Sequence, residues 1–263
     1  MAVSPKEKNR ILQTDDYMRQ LPNILTLGNL FCGMLMILTV ILGAVEYTMI
    51  IMGIAFILDV MDGRLAYWLK VQSELGKQLD SLADMVSFGV VPGLMMARMI
   101  AEGMEVPFPP SSMEEAFAFP LYLGGFLLPV FAALRLAKFN LEGNQDRFEG
   151  VPTPAMTLVV SGLWYGLSVE GGLRASSSAS MFMTPTLLPY ILLAITLILC
   201  VLMVARLPML NLKFKGWGWN ANRFRYLLLI SSVILVVIFG WLIFPVVFLL
   251  YLGLSAWAFF AEA

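Results

Sequence analysis

Four aspartates share the stretch DVMDGRLAYWLKVQSELGKQLDSLAD: Asp59, Asp62, Asp80 and Asp84. The first two are three residues apart and the last two are four apart, so on helices each pair lies on one face within a turn. Four carboxylates brought together repel one another, and the repulsion is relieved by protonation or by a cation among them. The chain has no histidine, which removes the usual zinc ligand and the usual general base. Its two cysteines, Cys32 and Cys200, fall in apolar runs, where small core side chains are expected and not a disulfide or metal pair. Oxygen-only ligands suit Mg²⁺, Mn²⁺ or Ca²⁺ and argue against zinc or copper. Carboxylate-bound magnesium commonly shares its sphere with substrate phosphates. Gly63 and Gly76, beside the aspartates, leave room for a diphosphate to approach the backbone. Any one aspartate at a helix end is as readily a cap or a water-facing residue. Four at this spacing with adjacent glycines favour a joint cation site.

The elements that must position these residues are apolar. Hydrophobic residues make up 59% of the 263, charged residues 13%, and the mean hydropathy is +0.82. Soluble domains rarely reach that apolar content, and the apolar runs here have bilayer-spanning length. The expected fold is all-α: a polytopic transmembrane bundle of about eight spans, a six-helix catalytic core plus C-terminal helices. The spans are expected near 23–43, 46–66, 79–100, 119–137, 152–169, 186–205, 226–243 and 245–261. The last two are separated only by Phe244-Pro245, so a single kinked helix competes there. The first span follows a polar stretch and lacks a cleavage site of small residues, which predicts a retained span. Residues 1–263 read as one domain without an internal repeat. Asp59 closes span two and Asp80 opens span three, so a short turn at Ser73–Gly76 brings all four carboxylates to one level.

Loop charges orient the bundle. Lys6, Lys8, Arg10 and Arg19 precede span one, and Arg64, Lys70 and Lys77 follow span two. Arg135, Lys138 and Arg147 follow span four, and five more bases follow span six. The opposite loops carry mainly Glu46, Glu102, Glu105, Glu114 and Glu115. The positive-inside rule then predicts a multi-pass protein of the cell membrane, with the aspartates and both termini facing the cytoplasm. The loop 101–119 reads as an external cap or a short interfacial piece. The segment 206–225, with Trp217 and Trp219 among bases, reads as a headgroup-level anchor.

The aspartate stretch resembles the signature of the CDP-alcohol phosphotransferases, D-x-x-D-G-x-x-A-R-x(8)-G-x-x-x-D-x-x-x-D, with every spacing in agreement. One position departs: Tyr67 stands where the pattern has arginine. That arginine is expected to help hold the substrate diphosphate, and Arg64, Lys70 or Lys77 is a candidate replacement. PNILTLGNLFCG at 22–33, DSLADMVSFGVVPG at 80–93, ALRLAKFN at 133–140 and GVPTPA at 150–155 resemble the integral-membrane phosphatidylserine synthases of that family.

The resemblance implies transfer of a phosphatidyl group from CDP-diacylglycerol to the hydroxyl of L-serine, with release of CMP. It implies a divalent cation, Mg²⁺ or Mn²⁺, on Asp59, Asp62, Asp80 and Asp84, with Asp84 also the general base. CDP-diacylglycerol is expected on Asn23, Thr26, Asp62, Gly63, Arg64, Ser73, Gly76 and Lys77. For Asn23, a helix-start role after Pro22 competes. Serine, a zwitterion, needs a guanidinium for its carboxylate. Arg135 is the candidate, with Lys138, Asn140 and Ser87 nearby; the competing reading has Arg135 and Lys138 only marking the end of span four. A homodimer in the lipid bilayer is implied, and no nucleic-acid partner. Two alternatives remain: another acceptor, glycerol 3-phosphate or an inositol phosphate, which would call for a tighter basic cluster, and a cation transporter. Transporter carboxylates lie near the midplane, often in repeated halves, a pattern this chain does not show.

Overall fold

The computed structural model describes residues 5–142, 148–168, 187–205 and 240–262, with 208–209, 235 and 238 besides. Helix α1 (Pro5–Leu42) is followed by α2 (Val45–Leu69) and α3 (Glu74–Met85), and a π-helical turn (Val86–Val90) joins α3 to α4 (Val91–Gly103). Then come α5 (Met113–Ala118), a 3-10 turn (Pro120–Phe126), α6 (Leu127–Glu142) and α7 (Thr153–Ser168). Helices α8 (Leu188–Val204) and α9 (Phe244–Glu262) complete the described bundle. The one departure from all-α structure among the described residues is a two-residue antiparallel ladder, Phe148 opposite Met209 and Glu149 opposite Pro208.

By length and composition, Gln20–Leu42, Glu74–Gly103 and Pro120–Leu141 are each able to cross a membrane, and Leu188–Val204 and Phe244–Ser255 are shorter apolar helices. The fold is that of an all-α helical membrane protein. Helices overlap seven of the eight expected spans. The remaining one, 226–243, lies mostly outside the described residues, and the anchor segment 206–225 almost entirely so. Helix α9 starts at Phe244, after a 3-10 turn over Gly240–Ile243 whose Gly240 has φ +60°. Within 101–119 the chain forms the short α5, N-capped by Ser112, whose hydroxyl accepts from the Glu115 N–H at 3.1 Å.

Lipid-facing apolar residues ring the bundle, with Ile24, Phe31, Leu38, Ile50 and Ile57 each at least half exposed. Helices apolar on all sides are what a membrane requires. The interior is rich in methionine: Met36, Met49, Met52, Met95, Met96, Met99 and Met156 share one buried cluster with Trp164 and Phe88. Unbranched thioethers fill irregular gaps between helices.

Two joints set the frame. After α1 the chain reverses at Gly43 (φ +73°), and Arg98 of α4 caps the helix end, donating from Nη1 to the carbonyls of Val40 (2.8 Å) and Ile41 (2.9 Å). Its Nε is held by Glu102 at 2.7 Å. A cation on the last carbonyls of a helix is favoured by the dipole. At the other end, α2 closes in a Schellman turn: the Val71 N–H donates to the Ala66 carbonyl and the Lys70 N–H to that of Tyr67. Lys70 takes the left-handed conformation, φ 55°.

Candidate active site

The hairpin between α2 and α3 brings the aspartates together. Carboxylate oxygens of Asp59, Asp62 and Asp80 all lie within 4.8 Å of one another. The fourth, Asp84, meets Asp59 carboxyl to carboxyl, and its own Oδ1 is buried without a hydrogen-bond partner. Helix α1 supplies the neutral brace: the Thr26 hydroxyl donates to Asp62 Oδ2 at 2.6 Å, in a buried contact. None of the four carboxylates closes an ion pair with a described lysine or arginine. Two carboxylates in contact need a proton or a cation between them. A hard divalent ion fits this donor set, since all donors are oxygens, three converge and a fourth has an unused buried oxygen.

A cavity of about 560 Å³ opens over the cluster, within the range of ligand sites. Asp62 and Asp80 form its floor, and Asn23 and Thr26 of α1 form one wall. Beside Asn23 stands the first turn of α3, with Ser73, Gly76 and Lys77 also lining the cavity. Ser73 is the N-cap of α3, its hydroxyl accepting from the Gly76 N–H at 3.0 Å. The other N–H groups of that turn and the positive end of the helix dipole suit a phosphate. Gly76 is small for a reason: a Cβ there would lie 3.1 Å from Asn23 Oδ1 and from Ser73 Oγ. At Gly63 a Cβ would meet nothing within 4 Å.

Below the cavity, the π turn locks α3 to its neighbours. Ser87 Oγ donates to the Asn29 carbonyl at 3.0 Å, and Thr157 Oγ1 donates to the Phe88 carbonyl at 2.9 Å. The Phe88 ring stacks on Phe56 with centroids 4.7 Å apart. Such turns recur at functional sites because they re-aim the side chains on either flank; here Asp80 and Asp84 stand on the flank that precedes it.

The family model described as CDP-alcohol phosphatidyltransferase matches residues 19–202, which hold the aspartates, the cavity and the π turn. The chain belongs to the CDP-alcohol phosphatidyltransferase family. Among relatives of this family member, the CDP-diacylglycerol–serine O-phosphatidyltransferase of Bacillus subtilis (strain 168) is 29% identical over 158 residues, covering 56% of this chain and 78% of that protein. The protein of the same name from Helicobacter pylori (strain ATCC 700392 / 26695) is 28% identical over 225 residues, 82% of this chain and 81% of its own length. The archaetidylserine synthase of Methanothermobacter thermautotrophicus is 29% identical over 151 residues, 55% of this chain and 57% of that protein.

Measured against the sequence-based expectations for this phosphatidyltransferase, the structure gathers Asn23, Thr26, Asp62, Gly63, Ser73, Gly76 and Lys77 on one cavity. Asn23 is no helix start, because α1 runs unbroken through Pro22 from Pro5. Lys77 Nζ donates to the Asn140 carbonyl at 3.2 Å, and Asn140 Nδ2 donates to Ser81 Oγ at 2.8 Å, so both side chains tie α3 to α6. Arg64, Lys70 and Lys138 are exposed and do not line the cavity. Tyr67, at the motif's arginine position, is 70% exposed. Ser87 is fully buried, its hydroxyl engaged by the Asn29 carbonyl, so it forms no part of the cavity wall. Arg135 is buried and its Nε has no partner. Sequence reasoning missed Asn29, which is wholly buried with both ends of its carboxamide unpartnered. Its signal was present: it lies three residues after Thr26, on the same helix face.

Proposed function

We propose that this protein transfers a phosphatidyl group from CDP-diacylglycerol to L-serine, giving phosphatidylserine and CMP. The observation that carries the reading is the carboxylate cluster, unpaired by any described lysine or arginine and bordering a cavity lined by a helix N-terminus. The names of the relatives support serine as acceptor. The acyl chains remain in lipid, and the bilayer is the partner of the apolar faces.

Asp59, Asp62 and Asp80 would hold a divalent ion, Mg²⁺ or Mn²⁺, with Asp84 next to Asp59. Bound there, the ion supplies Lewis-acid polarisation of the phosphoryl oxygens. The protein's own groups do the rest. The Ser73–Lys77 turn receives the diphosphate with backbone N–H groups, and Asn23 and Thr26 border it from α1. With Tyr67 in place of the motif arginine, Lys77 is the basic residue that lines the cavity among the described residues. Asp84 takes the proton of the serine hydroxyl as the serine oxygen–phosphorus bond forms. The bond from that phosphorus to the CMP oxygen breaks, and CMP leaves with the electron pair. Asp84 stands outside the convergent triad and keeps a buried, unpartnered oxygen, which favours it as the base. Arg135 takes the serine carboxylate.

The positive loops support a multi-pass topology in the cell membrane with this site and both termini at the cytoplasmic side. A homodimer completes the reading. The experiment is a comparison of acceptors: purified protein, CDP-diacylglycerol and Mg²⁺ with L-serine, glycerol 3-phosphate or no acceptor. CMP release that requires L-serine is expected; release driven by glycerol 3-phosphate alone would reassign the acceptor.

A further inference from the structure

A closed ring of hydrogen bonds joins α3 to α6 at the edge of the cavity. Lys77 Nζ donates to the Asn140 carbonyl at 3.2 Å, and Asn140 Nδ2 donates to Ser81 Oγ at 2.8 Å. Ser81 Oγ donates back to the Lys77 carbonyl at 3.2 Å. Lys77 and Asn140 thus each take part twice, once through the side chain and once through the backbone. The proton count fixes every direction. Ser81 has one proton, which goes to the Lys77 carbonyl, so its oxygen is left to accept from the carboxamide. An ammonium donates only, so the Asn140 carbonyl is the acceptor in the remaining bond. Asn140 Oδ1 is buried without a partner, a cost that an apolar side chain of similar size would not carry. What the carboxamide supplies is the Nδ2 bond that closes the ring.

Lys77 is the member of the ring that lines the cavity, together with Ser73 and Gly76. Among the described residues no other lysine or arginine lines it, and Tyr67 occupies the motif's arginine position. A free lysine samples many rotamers, and ordering them opposes binding. Here the ammonium is already held, at a carbonyl in the last turn of α6, where the helix dipole favours a cation. It has three donors, so one carbonyl partner still leaves donors for an anion in the cavity. The same tether bears on the carboxylates. Asp80 lies three residues on from Lys77, a spacing at which opposite charges attract on a helix, yet no ion pair joins them. With Lys77 held at α6, the carboxylate cluster stays open to its cation.

We propose that Ser81 and Asn140 are positioning residues that hold the Lys77 ammonium at the cavity wall as the cation for the diphosphate of the nucleotide lipid, in place of the motif arginine. This rests on the proposed phosphatidyl transfer and adds to it a donor-side role for the ring between α3 and α6. Asn140 then serves the nucleotide lipid and not the amino-acid acceptor, although it lies on the helix that carries Arg135. Both Ser81 and Asn140 act through Lys77.

The test uses the full chain in detergent–lipid micelles, with the KM for CDP-diacylglycerol and the KM for L-serine measured on the same preparations. Ser81→Ala is expected to raise the KM for CDP-diacylglycerol about 3- to 10-fold, the effect of one hydrogen bond, and to leave the KM for L-serine unchanged. Ser81→Thr, which keeps the hydroxyl, should restore the wild-type value. Lys77→Met should raise the KM for CDP-diacylglycerol by more, since it removes the cation itself. In the Lys77→Met background Ser81→Ala should add nothing, because a residue that acts through the ammonium has no effect once the ammonium is gone. Asn140→Leu, which removes the Nδ2 donor, should match Ser81→Ala in every reading, and it serves alone should Ser81→Ala aggregate. An unchanged KM for CDP-diacylglycerol, an equal rise in both KM values, or a Ser81→Ala effect that persists in Lys77→Met overturns the proposal. So does a rise in the serine KM alone, which would assign the ring to the acceptor. A wild type that releases no CMP from CDP-diacylglycerol sinks the transfer reading and this inference together. A wild type that does, with an indifferent Ser81→Ala, sinks only this inference.

Discussion

Replacing Thr26 by valine takes one hydroxyl from the carboxylate cluster and leaves a side chain of the same shape in α1. That hydroxyl is within reach of two acceptors, Asp62 Oδ2 at 2.6 Å and the Pro22 carbonyl at 3.1 Å. With a single proton to give, it serves the shorter, charged one. Thr26 is 4% exposed, and the valine methyl would occupy the place of the hydroxyl. A hydrogen bond to a charged acceptor contributes about 1.5–3 kcal/mol. At about 1.36 kcal/mol per tenfold, that is a loss of roughly 10- to 150-fold. The same range is found when the partner that orients a metal ligand is removed, about 10- to 100-fold. The loss should appear as a rise in the Mg²⁺ or Mn²⁺ concentration that gives half-maximal CMP release, with saturating metal restoring much of the rate. Thr26→Ser keeps the hydroxyl and should remain within a few-fold of wild type. A Thr26→Val enzyme with an unchanged metal titration would refute the idea that α1 orients Asp62.

Three further outcomes follow from the geometry. Asp84→Asn should lower kcat by about 100-fold or more, as expected for loss of a general base, and leave Mn²⁺ binding detectable by paramagnetic resonance; Asp80→Asn should lose the bound Mn²⁺ itself. Gly150→Ala combines a left-handed φ of +73° with a Cβ 2.5 Å from the Met203 carbonyl. It should destabilise the α6–α7 connection by about 2 kcal/mol or more, read as a lower thermal midpoint in detergent. Lys70→Gly should do the reverse, relieving about 1 kcal/mol of left-handed strain at the end of α2 without changing the KM for CDP-diacylglycerol.

The carboxylate cluster was legible in the sequence because its information is local. Spacings of three and four on helices, a short turn and the absence of histidine dictate one level and one ligand type. The cavity residues on α1 and on the first turn of α3 were legible through the resemblance. What was not legible depends on non-local packing. Ser87 looks like a free hydroxyl beside the motif, but the π turn directs it at the Asn29 carbonyl. Lys138 looks like Arg135's companion, yet it is exposed and does not line the cavity. Tyr251 sits in an apolar run like any lipid-facing tyrosine, yet the packing of α9 on α7 buries it. Gly150 reads as part of a motif; the close approach of the Met203 carbonyl explains it.

The central claim is that Asp59, Asp62 and Asp80 form a hard-metal site, with Asp84 beside it as the base, for phosphatidyl transfer to serine. Its most direct test is to strip the purified enzyme with EDTA, supply CDP-diacylglycerol and L-serine, and titrate Mn²⁺ while CMP and phosphatidylserine are measured together. The account predicts no product without metal and equal amounts of CMP and phosphatidylserine as Mn²⁺ is restored. Metal-independent turnover, or CMP formed without phosphatidylserine, would contradict it.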